Sequence, residues 1–380
     1  MKTRTFSALI SMIVLLISVA STMSIGTVDA QDSPGPGLRA AHGMVYDPQN
    51  EVMVIFGGFD LTGGYRVLGD TWFYDYQTNV WAEYTATPSP PARSNLAMVY
   101  CSGTNEIIMY GGGEATGTWS FSCNSQTWSQ VETDINPGVH YSHAMSYDPT
   151  ENAVFLFGGF GTGGIEQNDT WRFDCTTREW SELFPDTSPI PRYGHVMAFD
   201  ESINRTVLTA GNTATQGHQD DTWYYNGTAN AWIEIDTTGN PYKLKWPSMT
   251  YDVRDQKCIV FGGQVGDYAV DTTWVYDAQS TTWTHKYPDS SPPKRINSGL
   301  AFAAGDGVVI MYGGVELDVG MFGDVWAYNY STNTWTEQSV SASNTTAGDG
   351  YPPAIIPVIA VTSFVAVAIV LVAYTVHRRS

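Results

Sequence analysis

Arginine and histidine recur in this chain at a spacing that could gather donors around an anion. Arg39 and His42, Arg93 and Leu96, His140 and His143, Arg192 and His195, and Arg295 and Ser298 occupy matching places, with Asn95 and Asn297 beside the second and last pairs. The series breaks once, where Lys245 lies nearby and Pro247 takes the histidine position. Cationic and neutral donors on an acidic body focus potential toward a negative ligand. The body is acidic: the chain carries −20, and residues 31–353 hold 14 basic against 37 acidic side chains. The expected ligand-binding set is therefore Arg39, His42, Arg93, Asn95, His143, Arg192, His195, Arg295 and Asn297. The ligand would be a carboxylate-bearing or sulfated glycan, or an acidic peptide. The competing reading makes the same residues structural, bonding loop carbonyls of the neighbouring repeat.

Catalytic chemistry has weaker support. Asp70, Asp169, Asp221 and Asp324 each stand two positions before a tryptophan. A residue repeated at a strand start reads as a turn cap, whereas glycoside hydrolysis needs two carboxyls flanking one bond. The seven histidines form no HExxH, and no Cys/His spacing fits zinc. No GxSxG or phosphate-binding loop is present. No catalytic residue, metal or cofactor is assigned, and the acidic balance argues against nucleic acid.

The elements that must position these residues are set by tryptophan. Twelve of the 13 fall in pairs nine positions apart, beginning at Trp72, Trp119, Trp171, Trp223, Trp274 and Trp326. Before each pair runs a short apolar stretch ending in glycine, as in Val54-Ile55-Phe56-Gly57-Gly58 and Ile310-Met311-Tyr312-Gly313-Gly314; the fourth departs, as Val207-Leu208-Thr209-Ala210-Gly211. Further upstream another run repeats, as in Gly43-Met44-Val45-Tyr46-Asp47. Short apolar or alternating runs bounded by Asn, Asp, Gly and Pro predict four strands per unit.

A period near fifty with double glycines and paired aromatics resembles the kelch repeat, over nearly all of residues 38–337. The resemblance implies an all-β, six-bladed propeller of four-stranded blades, at about 39–86, 92–133, 139–184, 191–236, 244–287 and 294–337. The first unit has its own first strand and the sixth its own last. Closure is therefore expected through side-chain packing between blades one and six, with no strand lent from 31–38. In this family the face holding the loops from second to third strand commonly binds. Here those loops carry Phe59, Tyr65, Phe160, Tyr268 and Phe322. The expected function is a binding module for a protein or glycan outside the cell. Because bacterial sialic-acid mutarotases share the fold, a sugar-acid epimerase is the enzymatic alternative.

The two ends suggest placement. Lys2 and Arg4 precede an apolar run, and Val28-Asp29-Ala30 offers a cleavage site, so 1–30 reads as a signal peptide. Residues 338–353 read as a Ser/Thr/Gly-rich stalk. Residues 354–376 lack charge and are long enough for a transmembrane helix. Residues 377–380 would be the cytoplasmic tail, which places the propeller outside the cell membrane. Cys101 and Cys123, in one repeat, are the candidate disulfide. Asn168, Asn204, Asn226, Asn329 and Asn344 are candidate glycosylation sites.

Overall fold

The computed structural model describes residues 35–85 and 87–339, and its six large sheets follow from the repeat. Blade 1 contains strands Gly43–Asp47, Val52–Phe56, Thr71–Asp75 and Val80–Tyr84. They pair antiparallel in that order, innermost to outermost. Five further blades repeat the order over 97–131, 144–183, 193–235, 248–286 and 299–338. The chain is therefore a six-bladed propeller.

Alternation along each second strand explains why blades stack. Met53 and Ile55 face blade 6, while Val54 and Phe56 face blade 2. A strand with apolar side chains on both faces needs a sheet against each. Six clusters of apolar side chains accordingly lie one at each blade interface, and a seventh, around Ala40 and Ile296, lies beside the channel mouth. The second tryptophan of a pair sits at this contact. Trp128, Trp180, Trp232, Trp283 and Trp335 donate Nε1 to Thr71, Thr118, Thr170, Thr222 and Thr273 of the preceding blade at 2.8–3.0 Å.

The seam between blades 6 and 1 differs. Val325 replaces the threonine, and Trp81 packs its ring 4.8 Å from that of Tyr312 with no such hydrogen bond. Among the described residues no strand is lent across this seam. Residues 35–38 form no strand, although Gly37 O accepts from Tyr312 Oη at 2.6 Å. Side-chain packing is only part of the closure, because main-chain hydrogen bonds also cross it.

Those bonds form two closed circles. Near the channel mouth, Asn95 N donates to Ala41 O, Ser142 to Asn95, Gly194 to Ser142, Trp246 to Gly194, Asn297 to Trp246 and Ala41 to Asn297, at 2.7–3.2 Å. All six residues have φ between 52° and 63°. In the second circle the second glycine of each blade donates to the residue that opens the next blade, as Gly58 N to Arg93 O and Gly314 N to Arg39 O. The second glycine is required there: a Cβ on Gly58 would stand 2.7 Å from Ala40 O.

Two sequence expectations are corrected. The fold class included a transmembrane helix. The described chain is all-β apart from one 3-10 turn, Thr162–Gly164, and among the described residues no helix is long and apolar enough to cross a membrane. The segments 1–30, 340–353, 354–376 and 377–380 lie outside the described residues, as does Asn344. The Cys101–Cys123 pairing is also overturned. All four cysteines are free and buried. Cys101 faces the blade 2–3 interface and Cys123 the blade 1–2 interface, on opposite sides of one sheet. Cys101 Sγ lies instead 3.4 Å from Cys175 Sγ.

Two outcomes follow. Trp128→Ala should lower stability by about 3–5 kcal/mol in urea unfolding, and Trp81→Ala by at least about 1 kcal/mol less, since it loses no buried hydrogen bond. Under a disulfide oxidant, non-reducing peptide mapping should find Cys101 joined to Cys175 and not to Cys123.

Candidate functional site

The first strands descend into the channel from the face that holds the loops between second and third strands. Each strand presents a residue to the same three tiers. The upper tier is the hydrogen-bonded circle. The next holds His42, Leu96, His143, His195, Pro247 and Ser298. The third holds Met44, Met98, Met145, Met197, Met249 and Leu300. Together they line a cavity of about 200 Å³. The methionine tier was overlooked as a feature, although its signal was present: one methionine at the same place in five of six repeats.

The predicted basic set divides. His42, His143 and His195 do reach the channel, but their rings tuck against Tyr312, Tyr110 and Phe157 of the preceding blade. Burial, with a neighbouring arginine, pushes His42 and His195 down to about 3. These imidazoles are neutral packing groups. His195 Nε2 lies 3.1 Å from Phe157 O. Asn95 and Asn297 belong to the upper circle, half-buried at the mouth.

The arginines do not form a basic ring. Arg39, Arg192 and Arg295 are at most 1% exposed. Each makes a bidentate pair with Asp70, Asp221 or Asp324 at 2.6–3.0 Å. Each also donates to a main-chain carbonyl of its own blade, Gly57, Ala210 or Gly313, at 2.9–3.1 Å. The carboxylate in turn accepts from the indole of Trp72, Trp223 or Trp326 at 2.7–2.8 Å. Burial would raise Asp70, but hydrogen bonds and charge from Arg39, with the Trp72 indole, hold it below the usual carboxylate range. In blade 3, His140 replaces the arginine and meets Asp169 at 3.1 Å.

Asp70, Asp221 and Asp324 are therefore clamps for buried cations, and Asp169 holds an imidazole in the same way; these are not turn caps. The caps at the ends of first strands are Asp47, Asp148, Asp200 and Asp252, which accept main-chain N–H groups two residues on. The sequence holds a clue to the pairing. Blade 5 has neither partner, with Leu244 and Thr272 in the two places. Only blade 2 keeps the arginine without the aspartate. Arg93 is 3% exposed, and Gly117 stands where the carboxylate would be. Arg93 Nη1 donates to Gly111 O at 3.2 Å, and burial lowers its pKa to about 10.

Around the mouth runs a ladder of half-buried aromatic rings. Tyr141 lies 5.1 Å from Phe160, Phe160 stacks on Tyr193 at 4.1 Å, and Tyr193 lies 5.9 Å from Trp246. Lys245 Nζ sits 4.5 Å over the Trp246 ring. Of the loop aromatics expected to bind, Phe59 is buried, Phe322 lies under the Arg295 guanidinium at 3.9 Å, and Tyr65 and Tyr268 are exposed. Among the glycosylation candidates, Asn168 and Asn204 are exposed. Asn226 and Asn329 are half-buried, and each accepts a main-chain N–H within its turn.

Six blades, cation–carboxylate clamps behind double glycines, and tryptophans joined to the preceding blade define a propeller scaffold of one lineage. The family model of the KLHDC2/KLHL20/DRC7 Kelch-repeats domain matches residues 13–186, 116–245 and 150–351, and the chain belongs to this kelch-repeat family. Among curated proteins it is similar to Kelch domain-containing protein 10 of Homo sapiens, 27% identical over 306 residues, covering 74% of this chain and 67% of that protein. The Xenopus tropicalis protein of the same name is 28% identical over 307 residues, covering 74% and 72%. Rab9 effector protein with kelch motifs of Bos taurus is 24% identical over 166 residues, covering 42% and 44%.

Asp70→Asn should lower stability at neutral pH by about 3 kcal/mol, because it leaves Arg39 buried without its counter-charge. The folded Asp70 titrates below its ordinary 3.8. Its contribution is thus complete above that value and is lost as pH falls through the folded pKa. Unfolding measured from pH 7 downward should show the gap between wild type and variant closing only below pH 3.8.

Proposed function

We propose that this chain is a protein-interaction module that takes its partner on the face carrying the loops from second to third strand and from fourth strand to the next blade. The distribution of exposed large apolar side chains carries the reading. Ten of the thirteen lie on this face, including Tyr65, Ile165, Phe184, Tyr242, Tyr268 and Tyr287, while Val80, Ile233 and Val253 lie elsewhere. Scattered exposed apolar residues need no explanation, but concentration on one face marks an interaction surface. Loops on a rigid scaffold are suited to that use. Membership in a kelch-repeat family and likeness to a Rab9 effector protein support it. The basic ring that favoured an anionic glycan is neutralised by Asp70, Asp221 and Asp324.

Benzoylphenylalanine placed at Tyr65, Tyr268 or Tyr287 should give a discrete photo-cross-linked polypeptide; at Val80 or Val253 it should give none. Tyr65→Ala and Tyr268→Ala should weaken binding of the polypeptide so identified by roughly tenfold or more each, with little change in Tm. Cross-links confined to Val80 and Val253 would place the partner on the opposite face and overturn the reading.

A further inference from the structure

Blade 2 departs from its neighbours in two adjoining places, and both departures remove negative charge. The first is Gly117, at the place of the clamp aspartate. The second lies across the outer strand pair. There Trp72, Trp171, Trp223 and Trp326 face Glu83, Glu182, Glu234 and Glu337, but Trp119 faces Gln130. Blade 5 also lacks both carboxylates, with Thr272 and His285, but it has given up the arginine too. Blade 2 keeps it.

The result is a converging set of donors with no carboxylate of its own. A Cβ built on Gly117 would stand 3.7 Å from Trp119 Nε1 and 3.8 Å from Gln130 Nε2, with nothing closer. The Arg93 guanidinium reaches the same residue, with Nη1 3.4 Å from Gly117 O. Arg93 is buried, and a buried guanidinium without a counter-ion is costly. The three comparable arginines meet that cost with an aspartate. The interval from the first glycine position to the clamp position, residues 111–117, is the shortest of the six in sequence.

We propose that this notch in blade 2 binds a carboxylate of the partner. The carboxylate takes the position that Asp70, Asp221 and Asp324 take in their blades, paired with the Arg93 fork and accepting from Trp119 Nε1. Planar bidentate pairing is the geometry for which arginine is suited. The notch itself stands on the donor set. Assigning the carboxylate to an acidic side chain of a protein rests on the reading of the loop face given above.

Acetate is the probe. In the full-length chain labelled with 15N at tryptophan, the Trp119 indole resonance, assigned through Trp119→Phe, should shift saturably with acetate and not with chloride at equal ionic strength. Gly117→Asp supplies the carboxylate from within. Gly117 lacks the positive φ that would strain a side chain, so this variant should fold with a higher Tm and its Trp119 resonance should no longer respond. An unmoved wild-type resonance, or one that still titrates in Gly117→Asp, would overturn the proposal. If acetate binds here while cross-linking places the partner on the opposite face, the notch stands and the partner assignment fails. Partner capture by the loop face without an acetate response gives the reverse.

Discussion

The propeller depends on a circle of six main-chain hydrogen bonds at the channel mouth, from Ala41 round to Asn297 and back. Each bond contributes modestly, about 0.5–1.5 kcal/mol, but the circle fixes what packing alone leaves free. Apolar interfaces between sheets tolerate sliding and tilt. A bond from each first strand to the next sets a common height and angle. Left-handed backbone at all six positions is the condition for it. Such backbone is unfavourable for alanine, serine and tryptophan, so its presence at Ala41, Ser142 and Trp246 shows that the ring overrides local preference.

Charge is arranged around the same ring. The residues that open the blades use their carbonyls to hold the preceding blade and their side chains to hold their own. Arg39, Arg192 and Arg295 are thus occupied twice, by a glycine or alanine carbonyl and by an aspartate. This explains why a chain rich in acid carries buried cations at all. It also moves attention from the channel, whose histidines are neutral and packed, to the loop face outside it. There the exposed aromatics lie, and there blade 2 leaves one guanidinium uncompensated.

Much of this was legible in the sequence, and the reason is repetition. Any one Trp-x8-Trp pair is weak evidence; six at one spacing require six equivalent units, and the double glycines mark where backbones approach. What repetition hid was pairing between distant positions. Arg192 and Asp221 lie 29 residues apart, with the first two strands of their blade between them, so each reads as a local feature: a surface donor and a turn cap. The joint loss at Leu244 and Thr272 was the available clue. The cysteines failed for a related reason. Cys101 and Cys123 share a repeat, but strand alternation sends them to opposite faces of one blade, and Cys175 of the next blade meets Cys101 instead.

By itself the sequence determined the number of blades, the order of strands in each and the places where glycine is needed, because these are set by local period and by backbone conformation. Only the tertiary structure decided which charges are free. A guanidinium at the same repeat position is spent on an aspartate in three blades and left open in one. That difference depends on whether residue 117 or its counterpart carries a carboxylate at hydrogen-bonding distance in space. The anion-binding character first read from a ring of basic residues therefore contracts to Arg93.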